Sequence, residues 1–198
     1  MSVTFAQGFS AAGVAAGISS VEGKKDLALV VNNGPLDAAA GVFTSNRFCA
    51  APVQWSRKVV ADGHVKAVIL NSGGANACTG RAGLDDARQM AEWTAASVGC
   101  EVEDVAVCST GLIGVRLPMD AVLTGIQLAA QDLANTGGPS AAAAIMTTDT
   151  VAKESIHTSP DGWTIGGMAK GAGMLAPALA TMLVVITTDA VVPASGLD

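Results

Sequence analysis

The sequence predicts an α/β fold with mixed sheets in a single large domain of 198 residues. Three observations carry that prediction. Half of the residues are hydrophobic and only 14% are charged, so the chain buries much of its surface instead of staying disordered. Short β-branched runs such as LALVV, AVIL, VAVC and LVVITT recur and are stopped by turn residues. Between them lie longer segments with apolar residues at helical spacing. With four Phe, three Trp and no Tyr, the core must be aliphatic and alanine-rich, which favours close approach of its elements.

Taken in order, the chain opens on a glycine- and alanine-rich stretch, GFSAAGVAAGISS. Asp26 to Gly34 then reads as a strand running into a turn. AAGVFTSNRFCAAPVQWS has short apolar runs broken by Ser45, Asn46 and Pro52, a pattern that predicts paired strands. Ala67 to Leu70 is a buried strand discharging into NSGGANACTG. AGLDDARQMAEWTAASVG places Leu84, Ala87, Met90, Ala91 and Trp93 or Thr94 at helical spacing, with Gly83 before and Gly99 after. A second strand-to-loop unit follows, Val105 to Cys108 and then Ser109-Thr110-Gly111. PMDAVLTGIQLAAQDL predicts a helix starting near Pro118, where a missing N–H costs nothing. SAAAAIMTTDT is a helix or strand end meeting threonines. A turn is expected over Ser159 to Gly162, a short strand over Trp163 to Ile165, and a core strand in the run after Thr181.

Charge and composition exclude several functions. The net charge is −6 and the pI is about 4.7. No basic cluster exceeds Arg57-Lys58 or Lys24-Lys25, so a nucleic-acid groove is not expected. Four cysteines form no CxxC, and with two histidines in the chain no metal site is expected. Such scattered thiols suit a reducing compartment. MSVTFAQGFS has neither the basic start nor the apolar centre of a signal peptide. Met174 to Val192 is apolar but holds Pro177 and Asp189, against a spanning helix. A cytoplasmic protein without membrane partners is expected.

Candidate sites each have a plainer alternative. NSGGANACTG could cradle an anion with backbone N–H groups, but it lacks the Lys-Ser or Lys-Thr ending of a phosphate loop and also fits a tight strand-to-helix turn. In CSTGLIG, Thr110 and Gly111 sit where a hydroxyl and an N–H could hold an oxyanion; the alternative is a turn that needs glycine. Cys108 has no histidine nearby to activate it and reads better as a buried thiol. Asp85-Asp86 reads as a solvated helix face. Thr181 heads the apolar run MLVVITT. As an internal residue nothing nearby takes its proton. As an N-terminal residue its own amine, with a free pKa near 8, serves as base. Attack of its hydroxyl on the Ala180 carbonyl, followed by ester hydrolysis, would expose that amine. The other reading is a threonine that simply begins a strand.

Lys170 to Leu183, KGAGMLAPALATML, resembles the self-cleavage motif Lys-Gly-x-Gly-Met-x-x-Pro-x-x-Ala-Thr-Met-Leu of the glutamate N-acetyltransferase (ornithine acetyltransferase, ArgJ) family, and meets every fixed position. NSGGANACTG, CSTGLIG with RLPMD, AIMTTD and WTIGGMAKG are similar to further family segments, in family order. The resemblance implies the mixed-sheet α/β fold of the ornithine acetyltransferase type, self-cleaving with an N-terminal nucleophile. It implies acetyl transfer from N-acetylornithine to glutamate through an acetylated Thr181, with acetyl-CoA as a further donor in some members and no cofactor required. Thr110 and Gly111 would form the oxyanion hole, and Thr147, Lys170 and Thr181 would bind substrate. Cleavage between Ala180 and Thr181 would divide the chain into residues 1–180, the α-chain domain, and residues 181–198, the start of the β chain. Two α and two β chains are the implied assembly.

Family chains are about twice this length, so the family's later substrate residues, an acid, an asparagine and a threonine, have no counterpart here. Two other functions compete on the sequence. One is a related self-cleaving aminopeptidase, a group that typically uses serine. The other is a non-catalytic fragment that folds only with a partner chain.

Overall fold

The computed structural model describes residues 2–172 and 181–197. Among the described residues, seven strands form two sheets. The larger holds β1 (Phe9–Val14), β2 (Leu27–Asn32), β3 (Ala67–Gly74) and β4 (Val105–Leu112) in that order, antiparallel except for the parallel β3–β4 pair. The smaller, β5 (Lys153–Thr158), β6 (Thr164–Lys170) and β7 (Leu183–Thr188), is antiparallel throughout. The expected mixed-sheet α/β architecture is therefore present.

Alternation along the strands explains the layering. Leu27, Leu29 and Val31 of β2 face one side with Ile69, Val105 and Val107, and there they meet α2 (Gly80–Val98) and α3 (Met119–Gln131) through Ala87, Met90, Val122 and Ile126. Ala28, Val30 and Leu70 face the other side and meet α4 (Gly138–Ala144), Ile145 and Met168 of the small sheet. A strand covered on both faces is apolar without a break, which is why LALVV shows no polar alternation. Close packing is literal on the α4 side. A Cβ added to Gly13 would lie 2.0 Å from the Ser140 carbonyl oxygen.

The structure corrects four expectations. The stretch read as paired strands instead runs without regular structure into helix α1 (Ala51–Val59), with Pro52 in its first turn. That helix covers the open edge of β4. The Trp55 indole N–H donates to the Val105 carbonyl at 2.9 Å, and the Ser56 hydroxyl donates to the Val107 carbonyl at 2.7 Å and accepts the Val107 N–H at 2.9 Å. In α2 the buried stripe is Gly83, Asp86, Ala87, Met90, Ala91, Thr94 and Ala95, so Leu84 and Trp93 stay partly exposed. Asp86 is accordingly not solvated. It is 1% exposed and ion-paired with Arg116, whose Nε donates to it at 3.0 Å. β3 and β4 also run further than predicted and carry Asn71 to Gly74 and Ser109 to Leu112 within the sheet.

Candidate active site

The parallel β3–β4 pair ends irregularly. Gly73 faces Gly111, and Gly74 faces both Thr110 and Leu112 across a bulge. Glycine is required at this approach: Gly111 has φ 133°, and a Cβ there would lie 2.4 Å from the Gly73 carbonyl carbon. Val105 and Val107 present backbone groups to the α1 edge. The same alternation aims the Gly111 N–H off that edge, while the Thr110 side chain lies on the face toward the small sheet.

β6 brings the lysine to Thr110. Gly166, Met168 and Lys170 occupy the inner face of the small sheet, and all three are buried. The Lys170 ammonium donates to Thr110 Oγ1 at 3.0 Å and to the Thr181 carbonyl oxygen at 3.2 Å. The second contact follows from the β6–β7 register, in which Lys170 pairs with Leu183. An ammonium only donates, so Thr110 accepts from it and its own proton is left to point elsewhere. Thr181 is half-buried at the head of β7. Ala180 lies outside the described residues, so the predicted cleavage junction is described on its Thr181 side alone.

Thr147 follows α4, and its N–H donates to Asp149 Oδ2 at 3.2 Å. Asp149 also accepts the Gly171 N–H at 2.8 Å and the Lys153 ammonium. Burial works against its charge, but these hydrogen bonds prevail and hold its pKa down to about 2. Lys170, 5% exposed, is pushed down by burial; Asp149 opposes that shift, and Lys153 and Lys24 add to it. Asp149 is a site residue that the sequence reading missed. The acid that ends AIMTTD carried no signal of its own, because its partner Gly171 is 22 positions away.

The other candidates resolve into structure. NSGGANACTG uses its polar groups internally. Asn76 donates to the Gly83 carbonyl at 2.8 Å and accepts from Thr79 at 2.7 Å, and the Asn76 carbonyl accepts the Ala51 N–H at 3.2 Å. Asn76 and Cys78 adopt φ of 47° and 58°, which makes this a tight strand-to-helix turn. It borders a cavity of about 290 Å³ lined by Cys49, Gln54, Cys78 and Leu84 among others. Burial pushes the Cys108 thiol up to about 11, which disfavours a thiolate nucleophile. All four cysteines are free. Among the described residues no group of three or more His, Cys, Asp or Glu could hold a metal ion, and no helix is long and apolar enough to cross a membrane.

Comparison with known proteins adds a family. The model of the ArgJ family matches residues 10–198. The arginine biosynthesis bifunctional protein ArgJ of Bifidobacterium longum is 74% identical over 200 residues, covering 100% of this chain and 51% of that protein. The protein of the same name from Streptomyces coelicolor is 63% identical, covering 100% and 51%. The chain thus spans about half the length of the curated relatives it matches. Among solved structures, ornithine acetyltransferase from Mycobacterium tuberculosis complexed with ornithine superposes with a TM-score of 0.87 at 53% identity, covering 92% of this chain and 96% of that one. The arginine biosynthesis bifunctional protein ArgJ of Bacillus halodurans gives a TM-score of 0.80 at 39% identity, covering 92% and 95%.

Proposed function

We propose that this chain, which belongs to the ArgJ family, carries the nucleophile and oxyanion site of an enzyme that moves an acetyl group from N-acetylornithine to glutamate. The observation that carries this reading is the Lys170 ammonium, which ties Thr110 and Thr181 into one hydrogen-bonded cluster from three separate parts of the sequence.

The chemistry has two stages. In the first, Thr181 Oγ attacks the Ala180 carbonyl carbon. The peptide C–N bond breaks, the Thr181 nitrogen takes up the proton, and an ester joins the two residues. Water hydrolyses that ester, leaving a carboxylate on Ala180 and a free amine and hydroxyl on Thr181. In the second stage that amine accepts the hydroxyl proton as Oγ attacks the acetyl carbonyl of N-acetylornithine. The Thr110 hydroxyl and Gly111 N–H stabilise the oxyanion, ornithine departs with the proton, and acetyl remains on Thr181. The glutamate amine then attacks the acetyl ester, giving N-acetylglutamate and free Thr181. Lys170 and Thr147 hold the substrate's polar groups, with the lysine acting as a point charge for a carboxylate. Because Thr181 carries the acetyl group, the cycle needs no cofactor. Acetyl-CoA is a second donor to test in the same assay.

The coverage of the solved relatives supports a cut. Their chains are matched over 96% and 95% of their length, against 51% for the curated proteins. Half-length chains are what cleavage near the middle of the longer protein would produce. We place the working enzyme in the cytoplasm as two α and two β chains, an assembly that sedimentation would check. The deciding experiment is intact mass spectrometry and N-terminal sequencing of the full-length gene product, with an acetyl-transfer assay. A new terminus reading Thr-Met-Leu-Val, together with transfer that Thr181→Ala abolishes, is expected. Normal processing of Thr181→Ala would remove the autocatalytic account. Hydrolysis of small peptides without acetyl transfer would favour an aminopeptidase.

A further inference from the structure

We propose that Asp149 is a positioning residue for substrate-carboxylate binding: its two oxygens clamp the loop carrying Thr147 to the end of β6 carrying Lys170. The inference rests on the acetyl-transfer reading for its kinetic readout, and on geometry and charge for the rest.

One carboxylate oxygen accepts the Thr147 N–H at 3.2 Å, and the other accepts the Gly171 N–H at 2.8 Å. The Gly171 N–H belongs to the peptide that Lys170 begins, so holding it fixes the lysine backbone. From there Nζ reaches Thr110 Oγ1 and the Thr181 carbonyl. Both anchors are deep, Asp149 being 9% exposed and Lys170 5%. A carboxylate suits the place because it offers an acceptor on each side. An asparagine would turn its NH₂ toward one of the two N–H groups. The Lys153 ammonium on β5 completes the clamp by donating to the oxygen that Gly171 uses.

Charge adds a second duty. The groups facing Lys170 are Asp149 from the loop after α4, Lys153 from β5, Lys24 from the loop before β2, the Thr110 hydroxyl from β4 and the Thr181 carbonyl. Asp149 is the negative charge in that set, and the two lysines and burial all oppose it. A lysine that binds carboxylates must stay charged, so Asp149 both places the ammonium and preserves it.

The test uses the full-length gene product. Lys170 is titrated by NMR with ε-¹³C-labelled lysine, its signal assigned through Lys170→Arg, in wild type, Asp149→Asn and Lys153→Met. KM and kcat are measured for N-acetylornithine and glutamate in wild type and Asp149→Asn. Asp149→Asn is expected to raise both KM values about tenfold, the effect of one charge-assisted hydrogen bond, with a smaller change in kcat. Its Lys170 titration should move to lower pH. Lys153→Met should move the titration the opposite way. Unchanged KM values with an unmoved Lys170 signal in Asp149→Asn would overturn the proposal, as would a shift of the same sign in both variants. If the wild-type protein transfers no acetyl, the function reading fails and the titration still decides on Asp149. If Asp149→Asn does not fold, the direction seen in Lys153→Met decides.

Discussion

Replacing Gly111 by alanine separates the catalytic reading of this loop from a merely structural one. The added Cβ would lie 2.4 Å from the Gly73 carbonyl carbon, 2.6 Å from the Gly74 nitrogen and 2.7 Å from the Gly73 oxygen. All three are backbone atoms of the neighbouring strand, so no side chain can swing away. Overpacking of this kind costs about 1–3 kcal/mol, and a φ of 133° adds about 1–3 kcal/mol for a residue with a side chain. The strand must shift, and the Gly111 N–H moves with it. Loss of one oxyanion donor lowers kcat by roughly 10²–10³-fold. Gly73→Ala is the matched control. Its φ is 113°, and its Cβ would meet the Ile18 carbonyl oxygen at 3.0 Å on the loop before β2, away from the N–H in question. Denaturant unfolding of full-length protein, with the self-cleavage rate and the acetyl-transfer kcat below the melting range, reads both effects. Both variants should lose stability, and only Gly111→Ala should lose both rates by the larger factor. Wild-type rates in Gly111→Ala, or equal losses in the two variants, would refute the oxyanion argument.

Thr110→Val should lower acetyl transfer by roughly 10²-fold or more with little change in KM, while Thr110→Ser, which keeps the hydroxyl, should stay within about tenfold of wild type; steady-state kinetics decide. Ser56→Ala removes the partner of both the Val107 N–H and its carbonyl at a position 3% exposed, and the two buried orphans should cost about 2–4 kcal/mol by denaturant unfolding. Asp149, held down to about 2, stabilises the fold fully above the free carboxylate pKa and loses that contribution as pH falls from about 4 through about 2. The acid-unfolding curve of Asp149→Asn should therefore converge on that of the wild type over this window. Iodoacetamide at pH 7.5 should modify exposed Cys78 before Cys108, whose thiol is pushed up to about 11, as peptide mass spectrometry would show.

The parts of the fold legible in the sequence are those that local pattern decides. β2 was readable because a strand covered on both faces must be apolar throughout, and α2 because apolar residues recur at helical spacing up to Gly99, although Gly83, expected ahead of the helix, lies inside it on the buried stripe. The errors have a common cause. Pro52 breaks a strand but is tolerated in the first turn of a helix, and only contact with β4 shows which rule applies. Asp86 looks solvated until Arg116, 30 residues later, folds back onto it. β5 is exposed along its whole length and has no buried face to announce it; pairing with β6 makes it a strand. For the site, three family segments pointed to Thr110, Gly111, Thr147, Lys170 and Thr181. Asp149 was invisible because its role exists only once the loop after α4 meets the end of β6.

β7 and the residue after it are stitched to the stretch ahead of β1 as well as to the neighbouring strand. Six residue pairs join it to β6, the Thr187 hydroxyl donates to the Val3 carbonyl at 2.6 Å, and Asp189 accepts the Gln7 N–H at 3.0 Å. A cut ahead of Thr181 would therefore leave two polypeptides already seated in one fold. Subunits made that way would not need to find each other in solution. Their ratio would be fixed at one to one by translation of a single message, and neither could be made in excess of the other.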